Sequence, residues 1–400
     1  MQTNENQKES FISKIIEWSI NNKTMVIILT AVLIATGICS LKNIPLDAQP
    51  DLSDVQVIIY TEYSGQGPRI VEDQVTYPMT TKMLSVPFAK VVRGYSFFGF
   101  SMVYIIFEDG TDIYWARSRV LEYLSSLQKD LPTGVSPTLG PDATGLGWVY
   151  QYVLQSDNHN LQELRSIQDW FLRYELSSLK GVSEVASIGG FVKQYQVNVD
   201  QNKLASYGIP LSKLKSAIKQ SNNDVGGRLL EISEMEFMVR GLGYIKSVED
   251  LKKIVIGNSA ETGTPIYMEN VANIDIGPEL RRGIADWNGE GETVGGIIVM
   301  RYGENALDVI NRVKERIEEL KKSLPDGVEI IPSYDRSELI NSAIDNLKNT
   351  LIEESFIVAL IIILFLMHVR SSLVAIFTLP VAVLAAYVIM YYQGINANIM

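Results

Sequence analysis

Two long apolar segments near the end of the chain dominate its hydrophobic pattern. Residues 356–367 and 373–392 are almost wholly apolar, and only a short polar stretch separates them. About 20 helical residues cross the apolar core of a bilayer, and the first segment reaches that length when the apolar positions before it are counted. The pattern predicts two antiparallel membrane-spanning helices, over residues 337–368 and 372–392. The alternative is a pair of buried helices in a large soluble core.

A third apolar segment lies near the N-terminus. It follows an amphipathic stretch, and we predict a membrane helix with its lead-in over residues 12–41. No small-x-small cleavage site follows, which argues against a secretory signal peptide. Cys39 would suit a lipoprotein, but Ile38 precedes it where a small residue is needed. A fourth span is predicted to begin at residues 396–400.

The basic residues around these segments predict the orientation. Arg370 lies between the second and third predicted spans, and Lys14 and Lys23 precede the first. Basic residues favour the cytoplasmic side of a membrane. The sequence therefore predicts a cytoplasmic N-terminus and places the hydrophilic residues 42–336 on the opposite side as a folded domain.

This hydrophilic region begins with a pattern of strands and helices over residues 42–138, which we call unit 1. A strand near residues 55–62 is followed by a helix over 68–84, a hairpin over 91–108 and a helix over 112–127. Another strand pattern comes next. This order predicts a β-α-β-β-α-β unit.

The same order recurs in residues 139–188 and 281–334, which together we call unit 2. A Leu-Pro-x-Gly-Val motif follows the last helix of each unit. The interval from Gly110 to the motif proline in unit 1 equals the interval from Gly303 to the motif proline in unit 2. Chance rarely reproduces both a motif and its spacing, so the sequence indicates an internal duplication.

Residues 189–280 form an insertion within unit 2, with strands and a helix of their own. Residues 222–244 of this insertion have the pattern of a long hairpin, which we call the arm, with Gly226 and Gly227 at one bend. The apolar residues of the arm are Leu229, Leu230, Ile232, Met235, Phe237 and Met238. Such an arm either contacts a partner surface or packs back on its own domain.

Composition agrees with a chain that is part membrane-embedded and part water-soluble. The 400 residues are 46% hydrophobic, and the mean hydropathy is +0.09. A single cysteine excludes an internal disulfide framework and a Cys-rich metal site. The net charge of −11 argues against a nucleic-acid partner.

The chain contains few of the residues that commonly act in catalysis, such as histidine and cysteine. The chain contains two histidines, His159 and His368, which the predicted topology places on opposite sides of the membrane. No Gly-Lys-Ser/Thr phosphate loop and no credible Ser-His-Asp arrangement are present. We therefore do not expect an enzyme.

Methionine is the other residue type that could bind a metal ion, because its thioether sulfur suits Cu(I) and Ag(I). Met79 and Met83 share a face of a predicted helix, and Met235 and Met238 lie close together in the arm. Methionine is also an ordinary core-filling residue. These pairs alone do not establish a metal site.

Six strings carry a family resemblance: residues 45–48 (PLDA), 50–57 (PDLSDVQV), 74–78 (QVTYP), 107–112 (FEDGTD), 115–119 (WARSR) and 140–145 (GPDATG). They resemble the heavy-metal efflux branch of the resistance-nodulation-division transporters, closest to its copper- and silver-exporting members. The resemblance runs from about residue 12 to the end of the chain. It implies an α+β membrane protein with duplicated β-α-β-β-α-β periplasmic subdomains.

The resemblance also implies a homotrimeric proton antiporter of the bacterial inner membrane. Such a pump works with a periplasmic adaptor and an outer-membrane channel and exports Cu(I) or Ag(I), with no further cofactor. Units 1 and 2 correspond to porter subdomains. The insertion corresponds to a docking subdomain whose arm reaches a neighbouring protomer. Met400 matches a methionine of the family's metal relay.

The sequence departs from the family pattern in two respects. Leu280 occupies a position where the copper and silver members have a methionine facing the periplasmic cleft, so one soft ligand is missing. The first three predicted spans also lack Asp, Glu and Lys in their apolar cores, although a proton-driven pump needs an ionisable group inside the membrane. The family carries that acid on the fourth span. We therefore expect residues 1–400 alone to be a fragment that transports nothing.

Two other functions stay open. One is a related pump for another substrate, either a zinc- or cobalt-type cation or an organic drug. The other is a membrane-anchored binding or assembly module that captures metal or adaptor without transport.

Overall fold

A computed structural model describes residues 11–44, 46–47, 51–232, 234–259, 262–281, 283–367, 369–394 and 397–398. The helices are α1 (Phe11–Asn21), α2 (Lys23–Asn43), α3 (Pro68–Val71), α4 (Tyr77–Met83), α5 (Ile113–Leu127), α6 (Leu161–Ile167), α7 (Arg173–Ser177), α8 (Gln201–Ser206), α9 (Leu211–Ser221), α10 (Val248–Lys252), α11 (Ala306–Leu320), α12 (Arg336–Leu366) and α13 (Val369–Gln393).

The strands are β1 (Leu46–Asp47), β2 (Gln56–Glu62), β3 (Ala89–Phe97), β4 (Phe100–Phe107), β5 (Thr138–Leu139), β6 (Trp148–Gln155), β7 (Val182–Gly189), β8 (Lys193–Val199), β9 (Val225–Ile232), β10 (Met235–Gly241), β11 (Val255–Asn258), β12 (Pro265–Tyr267), β13 (Ala272–Pro278), β14 (Val294–Met300), β15 (Glu329–Asp335) and β16 (Ala397–Asn398).

Unit 1 is a four-stranded antiparallel sheet with helices packed on it. The strand order is β3-β4-β2-β5. Alternate side chains of β2 are buried, as expected for a strand with one covered face. Val57 and Ile59 of β2 pack with Met79 of α4 and Val120 of α5. The pattern of apolar residues thus builds one core between sheet and helices.

Unit 2 has the same strand order. Its sheet runs β7-β14-β6-β15, so the second, third, first and fourth strands are neighbours in each unit. The insertion leaves unit 2 after β7 and returns at β14, and antiparallel pairing of β8 with β13 closes its base. Because β7 and β14 are themselves neighbours, the insertion leaves the sheet of unit 2 intact.

Backbone positions with positive φ also match between the units. Two matched pairs are glycines in both copies: Gly110 with Gly303, and Gly134 with Gly327. The third matched position precedes the second strand, and it is Phe88 in unit 1 (φ 62°) and Gly181 in unit 2 (φ 87°). A positive φ is uncommon for a bulky residue. The copies therefore share a backbone path but differ in residue type at this one position.

The first helix of each unit is not continuous, although the sequence predicts a single helix over residues 68–84 in unit 1 and the same order of elements in unit 2. A five-residue π-helical stretch interrupts each one, at Glu72–Thr76 in unit 1 and at Gln168–Leu172 in unit 2. Hydrophobic periodicity does not reveal a π-turn, because the turn adds a residue without removing the apolar face.

Each π-helical stretch places a buried polar side chain over the sheet. In unit 1, the hydroxyl oxygens of Thr76 and Ser101 lie 2.7 Å apart. In unit 2, the Tyr152 hydroxyl donates to Oε1 of Gln168 at 2.8 Å, and Nε2 of Gln168 donates to Ser187. Burial raises the pKa of Tyr152, so this phenol stays neutral and able to donate.

The arm is formed by β9 and β10, and Gly226 and Gly227 do not lie at its bend. Both glycines are within β9, and the chain reverses near Glu234, whose φ is 66°. The pairing slips by one residue opposite Val239, which marks a β-bulge. A Cβ on Gly227 would approach the Val239 carbonyl oxygen to 2.7 Å. The glycine pair therefore reflects close strand contact at the bulge rather than a turn.

Two described helical segments are long and apolar enough to cross a membrane, namely α2 and residues 372–393 of α13. These helices pack against each other, with Gly37 of α2 facing Leu384 of α13. The strands that follow them, β1 and β16, pair in parallel. The two apolar helices therefore run in the same direction. The remaining residues of the predicted fourth span lie outside the described residues.

The first turns of α12 belong to unit 2, although the sequence predicts a membrane helix over all of residues 337–368. Asp335 caps α12 by accepting from the Ser337 amide at 2.9 Å. Lys314 of α11 donates to the Ser337 hydroxyl at 2.8 Å, and Ile340 is fully buried in the core of unit 2. One unbroken helix therefore leads from this core into the apolar segment.

The buried pair of Tyr152 and Gln168 can be tested by a double-mutant cycle. Gln168→Leu leaves the Tyr152 hydroxyl buried without a partner, which costs about 1–3 kcal/mol. We expect this variant to melt at a lower temperature than the wild type in detergent. Adding Tyr152→Phe should recover part of the loss, whereas the exposed control Gln201→Leu should change little. A double variant no more stable than Gln168→Leu would contradict the coupling.

Candidate functional site

A cleft of about 720 Å³ lies between unit 1 and the rim of unit 2. Unit 1 contributes Glu62, Ser64, Gly99 and Phe100, at the ends of β2 and β4. The other wall consists of Arg165 with residues 187–192, 279–281 and 283–285. The cleft therefore opens where the insertion leaves and rejoins unit 2.

Two described arginines, Arg165 and Arg281, carry positive charge on this wall, and each is paired with a carboxylate. Nε of Arg165 donates to Asp169 at 2.7 Å. Nη2 of Arg281 donates to Glu292 at 2.7 Å, and its guanidinium lies 5.5 Å from the ring centre of Phe191. Because each of the two described arginines has a carboxylate partner, the described part of the wall offers no concentrated positive charge to an anion.

Leu280 lies in the lining of this cleft and is 71% exposed. Among the described lining residues there is no methionine, cysteine or histidine. The acids are Glu62 and Glu279, which are hard oxygen ligands. The described part of the cleft therefore lacks the soft ligands that would favour Cu(I) or Ag(I).

The methionine pairs found in the sequence do not form a metal site. Met79 and Met83 are fully buried in the core of unit 1, where the Thr61 hydroxyl donates to the Met79 sulfur at 3.5 Å. No group of three His, Cys, Asp or Glu side chains in the described ranges could hold a metal ion. Met400 and His368 lie outside the described residues.

A junction between the units forms around Asp142, in the linker that joins them. Its carboxylate accepts from the hydroxyl of Tyr114 on α5 at 3.2 Å and from the hydroxyl of Ser183 on β7. The Arg301 guanidinium, just after β14, lies 2.9 Å from the same carboxylate as an ion pair. One side chain thus contacts both units.

The charge of Asp142 is stabilised by these partners. Burial acts to raise its pKa, but the Ser183 hydrogen bond and the Arg301 charge outweigh burial, and the pKa lies below its usual value. The linker is fixed at other points too, since Arg117 donates to the Gly140 carbonyl at 2.8 Å and Thr144 donates to Asp51 at 2.6 Å.

The role of Asp142 is not visible in the sequence, although this residue lies in the 140–145 string that carries the family resemblance. A Gly-Pro-Asp linker looks like an ordinary turn. The partners of Asp142 are 28 to 159 positions away in sequence, so no local pattern connects them.

The arm has two different faces. The register pairs Leu230 with Phe237 and Ile232 with Met235, so these four side chains share one face, which we call the apolar arm face. All four are about half exposed. The arm therefore does not pack back on the described part of its own chain.

The opposite face of the arm is mixed. It carries Leu229 and Met238 together with Glu231 and Glu236, which lie directly opposite each other. Like charges in opposite positions of a strand pair are unfavourable. Leu229, which the sequence groups with Leu230, therefore lies on the other face, and Met235 and Met238 point to opposite sides.

The base of the arm is fixed by Asp224. Its carboxylate accepts from Nε of Arg240 at 3.1 Å and from the amides of Gly243 at 2.8 Å and Tyr244 at 3.3 Å. These contacts, led by the Gly243 amide, lower the pKa of Asp224. The arm thus projects from an anchored base rather than from a free loop.

The sequence of this chain is similar to the sequences of known efflux proteins. The sequence profile of the AcrB/AcrD/AcrF family matches residues 15–400. The cation efflux system protein CusA of Escherichia coli (strain K12) is 56% identical over 391 residues, which cover 96% of this chain and 37% of CusA. The cobalt-zinc-cadmium resistance protein CzcA of Cupriavidus metallidurans is 35% identical over 396 residues, 97% of this chain and 37% of CzcA.

A solved structure agrees with these relatives. The X-ray crystal structure of a heavy metal efflux pump matches with a TM-score of 0.87 at 30% identity, covering 96% of this chain and 39% of the pump. The chain thus spans little more than a third of the length of the proteins it matches.

The Asp142 junction predicts a pH-dependent stability. Because the native pKa of Asp142 lies below the unfolded value of about 3.9, its contribution is fully present above that value and is lost as the pH falls through the native pKa. We expect Asp142→Asn to lower the melting temperature at pH 7, and the difference from wild type to shrink below about pH 4. The exposed control Asp130→Asn should show neither effect. A difference that does not vary with pH would contradict a role for the charge.

Proposed function

The chain belongs to the AcrB/AcrD/AcrF family of resistance-nodulation-division transporters, and from this membership we propose that it functions in proton-driven export of Cu(I) or Ag(I). The carrying observation is the 56% identity to CusA over 96% of the chain, against 35% to CzcA. The heavy metal efflux pump structure supports the same assignment through its TM-score of 0.87. Transporters of this family are inner-membrane proteins.

The membrane arrangement that we propose has three spans in the order α2, α12 and α13. Support comes from the parallel direction of α2 and α13, because two spans of one direction require a crossing between them. The apolar end of α12 fits that crossing, and its Leu364 and Phe365 are exposed, as lipid-facing side chains are. Units 1 and 2 then lie together on the periplasmic side.

The assembly that we propose is a homotrimer working with a periplasmic adaptor and an outer-membrane channel. Pumps of this family work as trimers together with an adaptor and an outer-membrane channel. The apolar arm face supports the trimer, since four exposed apolar side chains on a projecting hairpin are suited to burial against a second copy. On each copy a groove of about 510 Å³ between α9 and β11 contains Lys213. Its charge is opposite to that of Glu231 and Glu236, which lie on the other face of the arm.

A second candidate substrate is a harder cation of the zinc or cobalt type. The observation that favours it is the cleft around Leu280, whose described lining lacks soft ligands and contains Glu62 and Glu279. Carboxylate oxygens bind harder cations better than Cu(I) or Ag(I).

Growth of an efflux-deficient bacterium separates these candidates. The complete protein that contains this chain is expressed together with its adaptor and channel, and tolerance to copper, silver, zinc, cobalt and bile salts is compared. We expect protection against copper and silver alone. Protection confined to zinc and cobalt, or to bile salts, would overturn the proposed substrate.

A matched pair of variants tests the cleft within the same assay. Leu280→Met adds a thioether at similar side-chain volume, so we expect higher tolerance to copper and silver and unchanged tolerance to zinc. Ile276→Met adds the same group on β13, outside the cleft, and should change nothing. Equal effects of the two variants would show that Leu280 does not contact the transported ion.

The apolar arm face predicts a specific assembly defect. Burial of each apolar side chain contributes about 1.5–3 kcal/mol, so the double change Leu230→Asp and Phe237→Asp should shift the detergent-solubilised protein from trimer to smaller species in native mass spectrometry. The same change on the opposite face, Leu229→Asp and Met238→Asp, is the control and should have a smaller effect. Equal trimer content in both variants would contradict the assignment.

A further inference from the structure

Helix α1 is amphipathic, and its apolar side chains are not covered by the described chain. Ile15, Ile16, Trp18 and Ile20 are all exposed. On a helical projection they lie on one broad face, and Ser13, Lys14, Glu17 and Asn21 lie on the other. Such a helix is unstable in water unless its apolar face is covered.

The length of α2 leaves α1 outside the bilayer core. The 21 residues of α2 extend about 31 Å, which already matches the apolar thickness of a membrane of about 30 Å. The 11 residues of α1 would add about 16 Å. If α1 continued straight on from α2, Glu17 and Lys14 would stand in water together with the exposed isoleucines.

The backbone leaves the helical conformation between the two helices. Asn22 has φ −117° and ψ 48°, values outside the helical region. The hydrogen bonds on either side are kept, because the Asn22 amide donates to the Trp18 carbonyl and its Nδ2 donates to the same oxygen at 2.9 Å. This break at Asn22 lies directly before Lys23, where the spanning segment begins.

The polar groups on the apolar side of α1 are satisfied within the helix. The Ser19 hydroxyl donates to the Ile15 carbonyl at 2.8 Å, so its burial in an apolar medium leaves no unpaired donor. Trp18 is of the type that is enriched at membrane–water interfaces. The polar face carries Lys14 and Glu17, one charge of each sign.

From these observations we propose that α1 lies in the plane of the cytoplasmic membrane surface, with Ile15, Ile16 and Ile20 inserted among the lipid chains. The partner is the lipid itself, bound through apolar contact rather than through headgroup charge. The inference rests on the proposed membrane topology, because it places the start of α2 at the cytoplasmic interface. Burial of such a helix reaches about 5–10 Å into the headgroup and acyl boundary.

Site-directed spin labelling of the full chain in nanodiscs tests this proposal. In a Cys39→Ser background, labels are placed by Ile16→Cys and Ile20→Cys on the apolar face and by Glu17→Cys and Asn21→Cys on the polar face. Collision rates with oxygen, which concentrates in lipid, and with a water-soluble nickel chelate are compared. We expect oxygen to dominate at positions 16 and 20 and the nickel chelate at 17 and 21, with the same contrast in zwitterionic and anionic lipid.

Three outcomes would overturn the proposal. Equal accessibility at all four positions would place α1 wholly in water or wholly in lipid. Low accessibility of positions 16 and 20 to both reagents would show that protein covers them, from a second copy or another part of the assembly. A contrast seen only in anionic lipid would show that charge drives the binding.

A label at Ile28→Cys within α2 separates failure of this inference from failure of the proposed function. If position 28 is exposed to oxygen but α1 lacks the contrast, only the inference fails. If position 28 is exposed to the nickel chelate, α2 does not span the membrane, and the proposed topology fails with it.

Discussion

The carboxylate of Asp142 joins segments that are far apart in the sequence. Tyr114 belongs to unit 1, whereas Ser183 and Arg301 flank two neighbouring strands of unit 2. Ser183 lies near the start of β7, and the cleft lies at the other end of that strand, where Gly189 forms part of its wall. The six residue steps from Ser183 to Gly189 span about 20 Å. The Asp142 junction and the cleft therefore lie at opposite ends of β7.

The start of α12 is also held by contacts to unit 2. Asp335 and Lys314 hold the first turn of α12 against unit 2, and the helix then continues without interruption toward the apolar segment. A rigid helix transmits displacement along its axis because its hydrogen bonds leave no soft joint. Unit 2 is thus continuous with α12, and unit 1 contacts unit 2 through Asp142.

Much of this architecture follows from the sequence, and the exceptions have physical reasons. The order of strands and helices in both units is visible because many elements have one covered face and therefore a regular apolar period. The π-turns that contain Thr76 and Gln168 are not visible in the sequence. The apolar residues on either side of each turn keep the pattern expected of a single helix. The glycine pair 226–227 suggested a bend because glycine marks turns and bulges alike. The point at which α12 leaves the core of unit 2 is not visible in the sequence, because the helix passes from protein core to apolar segment without any stop signal.

The candidate site was less predictable than the fold. Leu280 could be placed in a cleft by resemblance, but the pairing of Arg281 with Glu292 depends on how the insertion rejoins unit 2. The two faces of the arm depend on strand register, which a bulge shifts by one residue and so exchanges the faces. Asp142 depends on three contacts distant in sequence. Each of these features arises from tertiary structure, which local patterns do not encode.

Phe88 gives the duplicated units unequal local stability. At the matching position unit 2 has Gly181, which adopts the left-handed conformation without steric penalty. An L-residue with a side chain pays about 1–2 kcal/mol for the same conformation, offset in part by the contact of Phe88 with Trp115, whose ring centres are 5.4 Å apart. We therefore expect the edge of unit 1 that carries β3 to open more readily than the β7 edge of unit 2, so that the two copies differ in their local fluctuations.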